Sequence, residues 1–255
     1  MGYGDELIST GLARNIPLGK RAAFGNGKNI IWGPWCEEIF RHNRKIARPG
    51  SEGAGDLYWI DHYKGHRLYN RLGSGRWIWN YDFKVTPGEI IFNGEMTVGR
   101  DFIYVEPNVP WHKSVAINKD WGLKNYQAVV DRLLKDNFDV VQSSYGRDRL
   151  LGVRIVKPPT FRNALSIMSK ARAALVPEGG MHHGAAAIGV PAVVIFGGFI
   201  PPTVVGYDNH HNLTGTTDEA CGSLTRCDHC RHAMAAISVE EVYSAVKRIA
   251  DGNGS

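Results

Sequence analysis

The segment LVPEGGMHHGAAAIGVPAVVIFGG, residues 175–198, most constrains what this chain can fold into. An apolar run ends in Pro177-Glu178, two glycines follow, and a stretch of small residues then leads into a second apolar run. A strand, a glycine turn, a short helix and a strand in so few residues read as a crossover between parallel strands. The same alternation fills residues 101–255. Strands are predicted over 101–107, 138–144, 153–156, 172–177 and 191–197, with YGRDR (145–149) as the loop after the second. Helices are predicted over 125–136, 161–171 and 180–189. Tyr126, Val129, Val130, Leu133 and Leu134 form one helical face, and Phe161, Ala164, Leu165 and Met168 another. A final helix opens at Ser238, with Glu241 completing a capping box and Val239, Val242, Val246 and Ile249 following. Strands alternating with helices predict a doubly wound α/β domain, with ligands at the carboxyl ends of the strands.

Residues 1–100 are less regular. A helix is predicted over 7–14 after a glycine loop, and strands over 30–32, 57–60 and 76–83. PGEIIF (87–92) is ambiguous. The expected division is 1–98, a reduced N-terminal part, and 99–255, a Rossmann-like part. Net charge is +4 in residues 1–100 and +1 beyond, with a cluster at Arg41, His42, Arg44, Lys45 and Arg48. Trp32, Trp35, Trp59, Trp77 and Trp79 lie in the same part. A basic, Trp-rich surface suits a phosphorylated, nucleic-acid or sugar partner. A solvated face over an aromatic core accounts for it equally well. No run approaches 18 apolar residues, which excludes a transmembrane helix. The start, MGYGDELISTG, lacks the basic and apolar regions of a signal peptide, so a cytoplasmic location is expected.

Four local features carry chemistry. Glycines before the helix at 180 let a ligand approach the backbone, and the helix start offers free N–H groups to an anion. Glu178, Gly179 and Gly180, with His182 or His183 as further donors, thus form a candidate phosphate or pyrophosphate site. Tight helix packing is the plainer alternative. Asp5, in GYGDE, is either an N-cap or a carboxylate held at a cleft as general base. Lys119, just before the helix at 125, is placed to neutralise phosphate as a point charge or simply to meet solvent. Cys221, Cys227 and Cys230 with a neighbouring histidine form a plausible structural zinc set. His229 and His232 lie beside them and His210 and His211 upstream; reduced thiols packing a loop are the alternative. Cys36 reads as core. There is no P-loop, no GxSxG and no metal-carrying DxD, so protein groups would have to balance any bound pyrophosphate.

These pieces occur in an order that resembles glycosyltransferase family 9, the lipopolysaccharide heptosyltransferase-like enzymes of GT-B fold. GYGDELISTGLAR is similar to the family's glycine loop and first helix. NKDWGLKNYQAVVDRLL resembles its Lys-x-Trp segment, PEGGMHHGAAAIGVPAVVIFGG its donor signature, and CGSLTRCDHCRHAMAAISVEEV its Cys-bearing C-terminal segment. The resemblance covers about 101–255 and the first 15 or so residues. It implies an α/β, GT-B-like architecture of two Rossmann-like halves around a cleft, the N-terminal half reduced. Asp5 falls on the family's proposed base and Lys119 on its phosphate-contacting lysine. Glu178, Gly180 and His183 fall on its signature Asp, Gly and His, and Thr160 and Phe161 on residues near the base. Glu178 departs from the usual Asp, and Gly179 from the usual Ser or Thr. The chain also opens at the loop that a strand precedes in family members.

The resemblance implies an inverting, metal-independent glycosyltransferase acting on a nucleotide-sugar donor and an acceptor hydroxyl, with no catalytic cofactor. Either a saccharide or a modified base in DNA supplies that hydroxyl. A non-catalytic nucleotide-, sugar- or nucleic-acid-binding protein is the competing expectation.

Overall fold

A computed structural model describes residues 2–61, 68–71, 75–143 and 146–252. In chain order the first elements are α1 (Tyr3–Arg14), β1 (Arg21–Phe24), α2 (Cys36–Phe40), β2 (Leu57–Ile60), β3 (Tyr69–Arg71) and β4 (Trp77–Trp79). Next come β5 (Phe102–Val105), a 3₁₀ turn (Ser114–Asn118), α3 (Leu123–Lys135), β6 (Val140–Ser143), β7 (Arg154–Val156) and α4 (Phe161–Met168). The chain continues through β8 (Ala171–Pro177), α5 (Gly180–Ala187), β9 (Ala192–Ile195), α6 (Pro202–Val205), β10 (His210–Leu213), α7 (Asp228–Ala236) and α8 (Val239–Ala250).

The expected parallel sheet is present. Six strands pair in the order β10-β9-β8-β5-β6-β7, all parallel. Counted from β5 as the first, this is the 3-2-1-4-5-6 order of a Rossmann fold, and the order reverses between β5 and β8. Side chains alternate across the sheet. Phe102, Tyr104, Ala174, Val176 and Val194 pack on one face with α1, α2, α4 and α5. Ile103, Val105, Leu175, Val193 and Ile195 pack on the other with α3 and α8. Strands covered on both faces read as continuous apolar runs, which is why β5, β8 and β9 were legible.

The N-terminal elements are small. β1 pairs with β2 in parallel, and β3 with β4 in an antiparallel hairpin. Leu7, Ile8, Phe24, Ile39 and Phe40 share one core cluster with Leu165, Val176 and Phe196. α1 begins at Tyr3 rather than at residue 7, because the Asp5 carboxylate accepts the Gly2 amide hydrogen at 2.7 Å and starts the helix early. Residues 30–32 form no strand: Ile30 makes a single bridge to Gly25 across a turn. The strand expected over 76–83 stops at Trp79, where Asn80 turns the chain by accepting the Asp82 amide hydrogen. The ambiguous segment at 87–92 runs across α1 without a ladder, its Glu89 amide donating to Thr10 Oγ1 at 2.8 Å. A Cβ on Gly88 would meet Leu7 O at 2.5 Å, so glycine allows that crossing. Of the strand expected over 138–144, β6 covers 140–143; Ser144, and Tyr145 of the loop after it, lie outside the described residues. No helix among the described residues is long and apolar enough to cross a membrane.

Arg162 is not one of the four residues of the apolar face read in α4, yet it is the largest fully buried side chain among the described residues. It pairs with the Glu95 carboxylate, donates to the carbonyls of Glu38 (3.1 Å) and Ile91, and lies over the Phe92 ring. One guanidinium thus joins α2, the segment at 91–95 and α4. Arg162→Ala leaves Glu95 buried without its cation, and we expect a loss of about 3–5 kcal/mol of stability, read by urea unfolding.

Candidate functional site

A cleft of about 1120 Å³ crosses the carboxyl ends of β8, β5, β6 and β7. The sheet edge supplies Glu106 and Asn108 after β5, Gly146 and Arg147 after β6, Thr160 and Phe161 after β7, and Glu178 to Met181 after β8. The opposite wall is Gly2 to Gly4 of α1 with Trp35, Glu38 and Arg41 of and beside α2. This is the place that the strand order assigns to a ligand.

Three of the expected residues meet at one point. The Lys119 ammonium pairs with the Glu178 carboxylate, and both are largely buried. The ammonium also lies 5.0 Å above the Phe199 ring. His183 Nε2 stands 3.9 Å from Glu178 Oε1, and its Nδ1 is 2.9 Å from the Tyr207 hydroxyl. Burial drives His183 down to about 4 despite the neighbouring Glu178 charge, so it is neutral at pH 7 and offers a hydrogen bond rather than a cation. Lys119 is therefore the cation that serves this point.

Gly179 has φ +147°, a conformation that side chains other than glycine's rarely adopt, and it turns the chain from β8 into α5. Gly179 and Gly180 leave the start of α5 bare to the cleft. Gly4 lies against it from α1: a Cβ there would meet His183 at 2.9 Å and the Gly180 backbone at 3.6 Å. That contact brings the turn bearing Asp5 beside the α5 start. One Asp5 oxygen holds the Gly2 amide, and its charge reaches His183.

Thr160 and Phe161 line the cleft after β7, with Phe161 against Gly180. The Thr160 hydroxyl caps α4 by accepting the Asn163 amide hydrogen. The Phe161 ring stacks on Tyr3, with centroids 4.1 Å apart and planes at 7°. This pair spans the two walls and flanks Gly180.

Further polar residues at the site escaped sequence reasoning. Glu106 is buried in the lining, with Oε1 taking hydrogen bonds from the Asn108 amide and side chain and Oε2 unpartnered. Burial raises its carboxyl to about 7 against those bonds. Its position directly after a buried strand was the available signal. Glu6, beside Asp5, is likewise raised by burial to about 7, and burial with the Glu6 charge pushes Cys36 to about 12. His182 is fully buried beside His183, Tyr207 and His210, with both ring nitrogens unpartnered. His182 sits in the core, while His183 bonds Tyr207 and stands beside Glu178; neither histidine lines the cleft.

The cysteine segment forms a second cluster. Cys221, Cys227, His229 and Cys230 bring one ligand atom each within 4.8 Å of one another, a set that can hold a metal ion. Of the four candidate histidines the structure selects His229. His210 belongs to the His182 group, His211 lies beside Arg248 and His232 beside Arg231. Hydrogen bonds from its neighbours lower the Cys221 thiol, while Cys221 and burial raise Cys230. Glu178, His182 and His183 also lie within 4.8 Å of one another, but the Lys119 ammonium already occupies Glu178.

The basic, Trp-rich reading resolves mostly into packing. Trp79 is buried. Trp32 packs against Phe40 under Arg48, and Trp77 against Tyr69. Of these tryptophans, Trp35 lines the cleft. Arg21, Arg44 and Arg48 line a separate depression of about 760 Å³, where Asp56 and Glu37 pair with Arg21 and Arg48.

Comparison with solved structures agrees with this architecture. A glycosyl transferase family 9 protein from Veillonella parvula DSM 2008 superposes with a TM-score of 0.62 at 12% identity, covering 99% of this chain and 95% of that one. The chain shares the fold of that protein. The iron-containing dodecameric glycosyltransferase TibC from enterotoxigenic E. coli matches with a TM-score of 0.51 at 14% identity, over 67% of this chain and 50% of that one. E. coli ADP-heptose lps heptosyltransferase II gives 0.48 at 13% identity over 66% of this chain, which spans 55% of that protein's length. No family model matches the sequence, and no curated protein matches it.

The carboxyls of Glu6 and Glu106 hold a proton more tightly in the folded chain than in the unfolded one. Their contribution to stability is full below about 4.5 and is lost as pH rises to about 7. Glu106→Gln removes one of these titrations. Urea midpoints measured across that window should therefore rise relative to the native sequence as pH increases.

Proposed function

We propose that the protein is an inverting, metal-independent glycosyltransferase that moves a sugar from a nucleotide-sugar donor to an acceptor hydroxyl. One observation carries this reading. At the strand-order reversal, the buried Lys119–Glu178 pair lies beside the bare start of α5, and the turn bearing Asp5 faces it. In this reading residues 99–255 form the donor side, residues 1–98 the reduced acceptor side, and the cleft runs between them.

The donor diphosphate lies at the α5 start, where backbone N–H groups and the helix dipole favour an anion. Lys119 supplies an ammonium that Glu178 holds in place and partly compensates. His183 offers its hydrogen bond on the same side, and Thr160 and Phe161 flank the nucleoside. The Asp5 oxygen not engaged by Gly2 takes the proton of the acceptor hydroxyl. The acceptor oxygen attacks the anomeric carbon as the bond to the phosphate oxygen breaks. The nucleoside diphosphate leaves with its charge met by Lys119 and the α5 amides, and the anomeric configuration inverts.

The cleft favours a saccharide acceptor over nucleic acid. Its lining carries Glu37, Glu38, Glu106 and Glu178 against Arg41, Lys113 and Arg147, together with Tyr3, Trp35 and Trp111. A channel for a polyanion would be basic throughout. Hydroxyl-rich rings suit mixed charge and aromatic faces. Acceptor binding that falls steeply with salt would instead favour DNA.

A thermal-shift panel of ADP, GDP, UDP, CDP and TDP should show one selective stabilisation that added Mg²⁺ or Mn²⁺ leaves unchanged. A chain that none of them stabilises is not a nucleotide-sugar enzyme. Lys119→Ala should weaken binding of the stabilising nucleotide by about 10–100-fold, the value of a charged hydrogen bond, measured by calorimetry. Asp5→Asn should lower single-turnover transfer by about 10²–10⁴-fold with nucleotide affinity nearly unchanged. Equal loss of both would remove the base assignment.

A further inference from the structure

We propose that Cys221, Cys227, His229 and Cys230 bind one thiophilic divalent cation, Zn²⁺ or Fe²⁺, and that this metal holds Lys119 in position for the donor. The first part stands on the cluster alone; the second rests on the donor reading given above.

The four ligand atoms lie within 4.8 Å of one another. Cys221 Sγ is 3.1 Å from Cys230 Sγ and 3.6 Å from Cys227 Sγ, and all three cysteines are free thiols. A tetrahedral zinc with bonds of about 2.3 Å spaces its sulfurs about 3.8 Å apart, close to this arrangement. The His229 ring is partly exposed, but both its nitrogens are shielded from solvent and make no hydrogen bond, with Nε2 4.0 Å from Asp218 Oδ2. Shielded polar atoms in that state are costly, and a metal bond at one nitrogen relieves that cost. The Ser223 amide donates to Cys221 Sγ at 3.4 Å, the kind of outer contact that supports a metal thiolate. Three thiolates and an imidazole select Zn²⁺ or Fe²⁺ over Mg²⁺ or Ca²⁺. Four protein ligands close the shell, so the site is structural. Binding releases the thiol protons to solvent and changes no oxidation state.

The ligands clamp a loop that backs Lys119. Cys221 and Cys227 bracket residues 222–226. Within that loop, the Ser223 and Thr225 carbonyls accept from Asn118 Nδ2 at 3.0 and 2.7 Å, fixing the residue next to Lys119. The Gly222 amide donates to the carbonyl of Phe199, whose ring lies under the Lys119 ammonium. These two supports of Lys119, which add to its pairing with Glu178, therefore depend on where the metal ligands hold this loop. Nothing in the proposed chemistry passes through the metal, which sets only the position of the lysine.

The test uses the full chain purified under reducing conditions. Elemental analysis should find one Zn or Fe per chain, which also decides between the two. Replacement by Co²⁺ should give the visible bands of a tetrahedral thiolate site. His229→Ala should weaken Co²⁺ binding at least about tenfold, and His229→Cys should restore it. Absence of both native metal and Co²⁺ binding overturns the site, and an unaltered Co²⁺ spectrum in His229→Ala overturns the fourth ligand. Stripping the metal should weaken binding of the selected nucleoside diphosphate about tenfold, with recovery on reloading. Equal affinity of stripped and reloaded protein overturns the link to Lys119. If neither form binds any nucleoside diphosphate, the donor reading and the link fail together, while metal content still decides the site.

Discussion

The irregular segments before the six-stranded sheet are tied to its carboxyl edge by a buried charge. Arg162 carries a guanidinium into the interior, where Glu95 and the carbonyls of Glu38 and Ile91 surround it. Such a group is tolerable in low dielectric only when its hydrogen bonds are met. The requirement works in both directions. Meeting those bonds fixes α2 and the irregular segment at 91–95 against α4, and α4 follows directly from the Thr160 cap at the cleft. The segments least able to form a sheet of their own are thereby anchored to the sheet's carboxyl edge.

That anchoring explains how so slight an N-terminal part can wall a large cleft. β1 and β2 make a two-stranded pair, too small to stand alone. Their apolar residues join the core beneath the six-stranded sheet instead. The close approach of α1 to α5 then depends on two glycines. Gly4 and Gly180 let the helices meet backbone to backbone, and any side chain at Gly4 would strike His183. The same small residues that permit packing leave the start of α5 unshielded by side chains of its own.

Electrostatics at the strand-order reversal divide two carboxylates by environment. Glu178 has the Lys119 ammonium against it. Glu106 takes the Asn108 hydrogen bonds on one oxygen, with no cation paired to it among the described residues, and burial raises it to about 7. Neutral His183 adds no second cation beside Lys119. The point therefore holds one compensated ion pair and neutral directional groups, with no like charges crowded together.

The α/β class and the strand and helix succession of residues 101–255 were legible because each rests on local pattern, whereas the grouping of Lys119 with Glu178, Gly180 and His183 came only with the resemblance to family 9. Buried strands read as apolar runs, crossover helices show period and caps, and glycines mark the turn before α5. α2, β3 and β10 were not legible, since each is short and carries too many polar residues to read as an apolar run. Nor was the early start of α1, which depends on one side-chain contact from Asp5 to Gly2. By itself the sequence determined a parallel doubly wound sheet and the residue types at its carboxyl edge, because hydrophobic periodicity and turn chemistry act over a few residues. Only the tertiary structure decided that Arg162 is buried, that His229 rather than its neighbours completes the cysteine cluster, that His182 turns into the core, and that Tyr3 meets Phe161. Each of those outcomes depends on which distant surfaces pack together, and that is settled by the whole core at once.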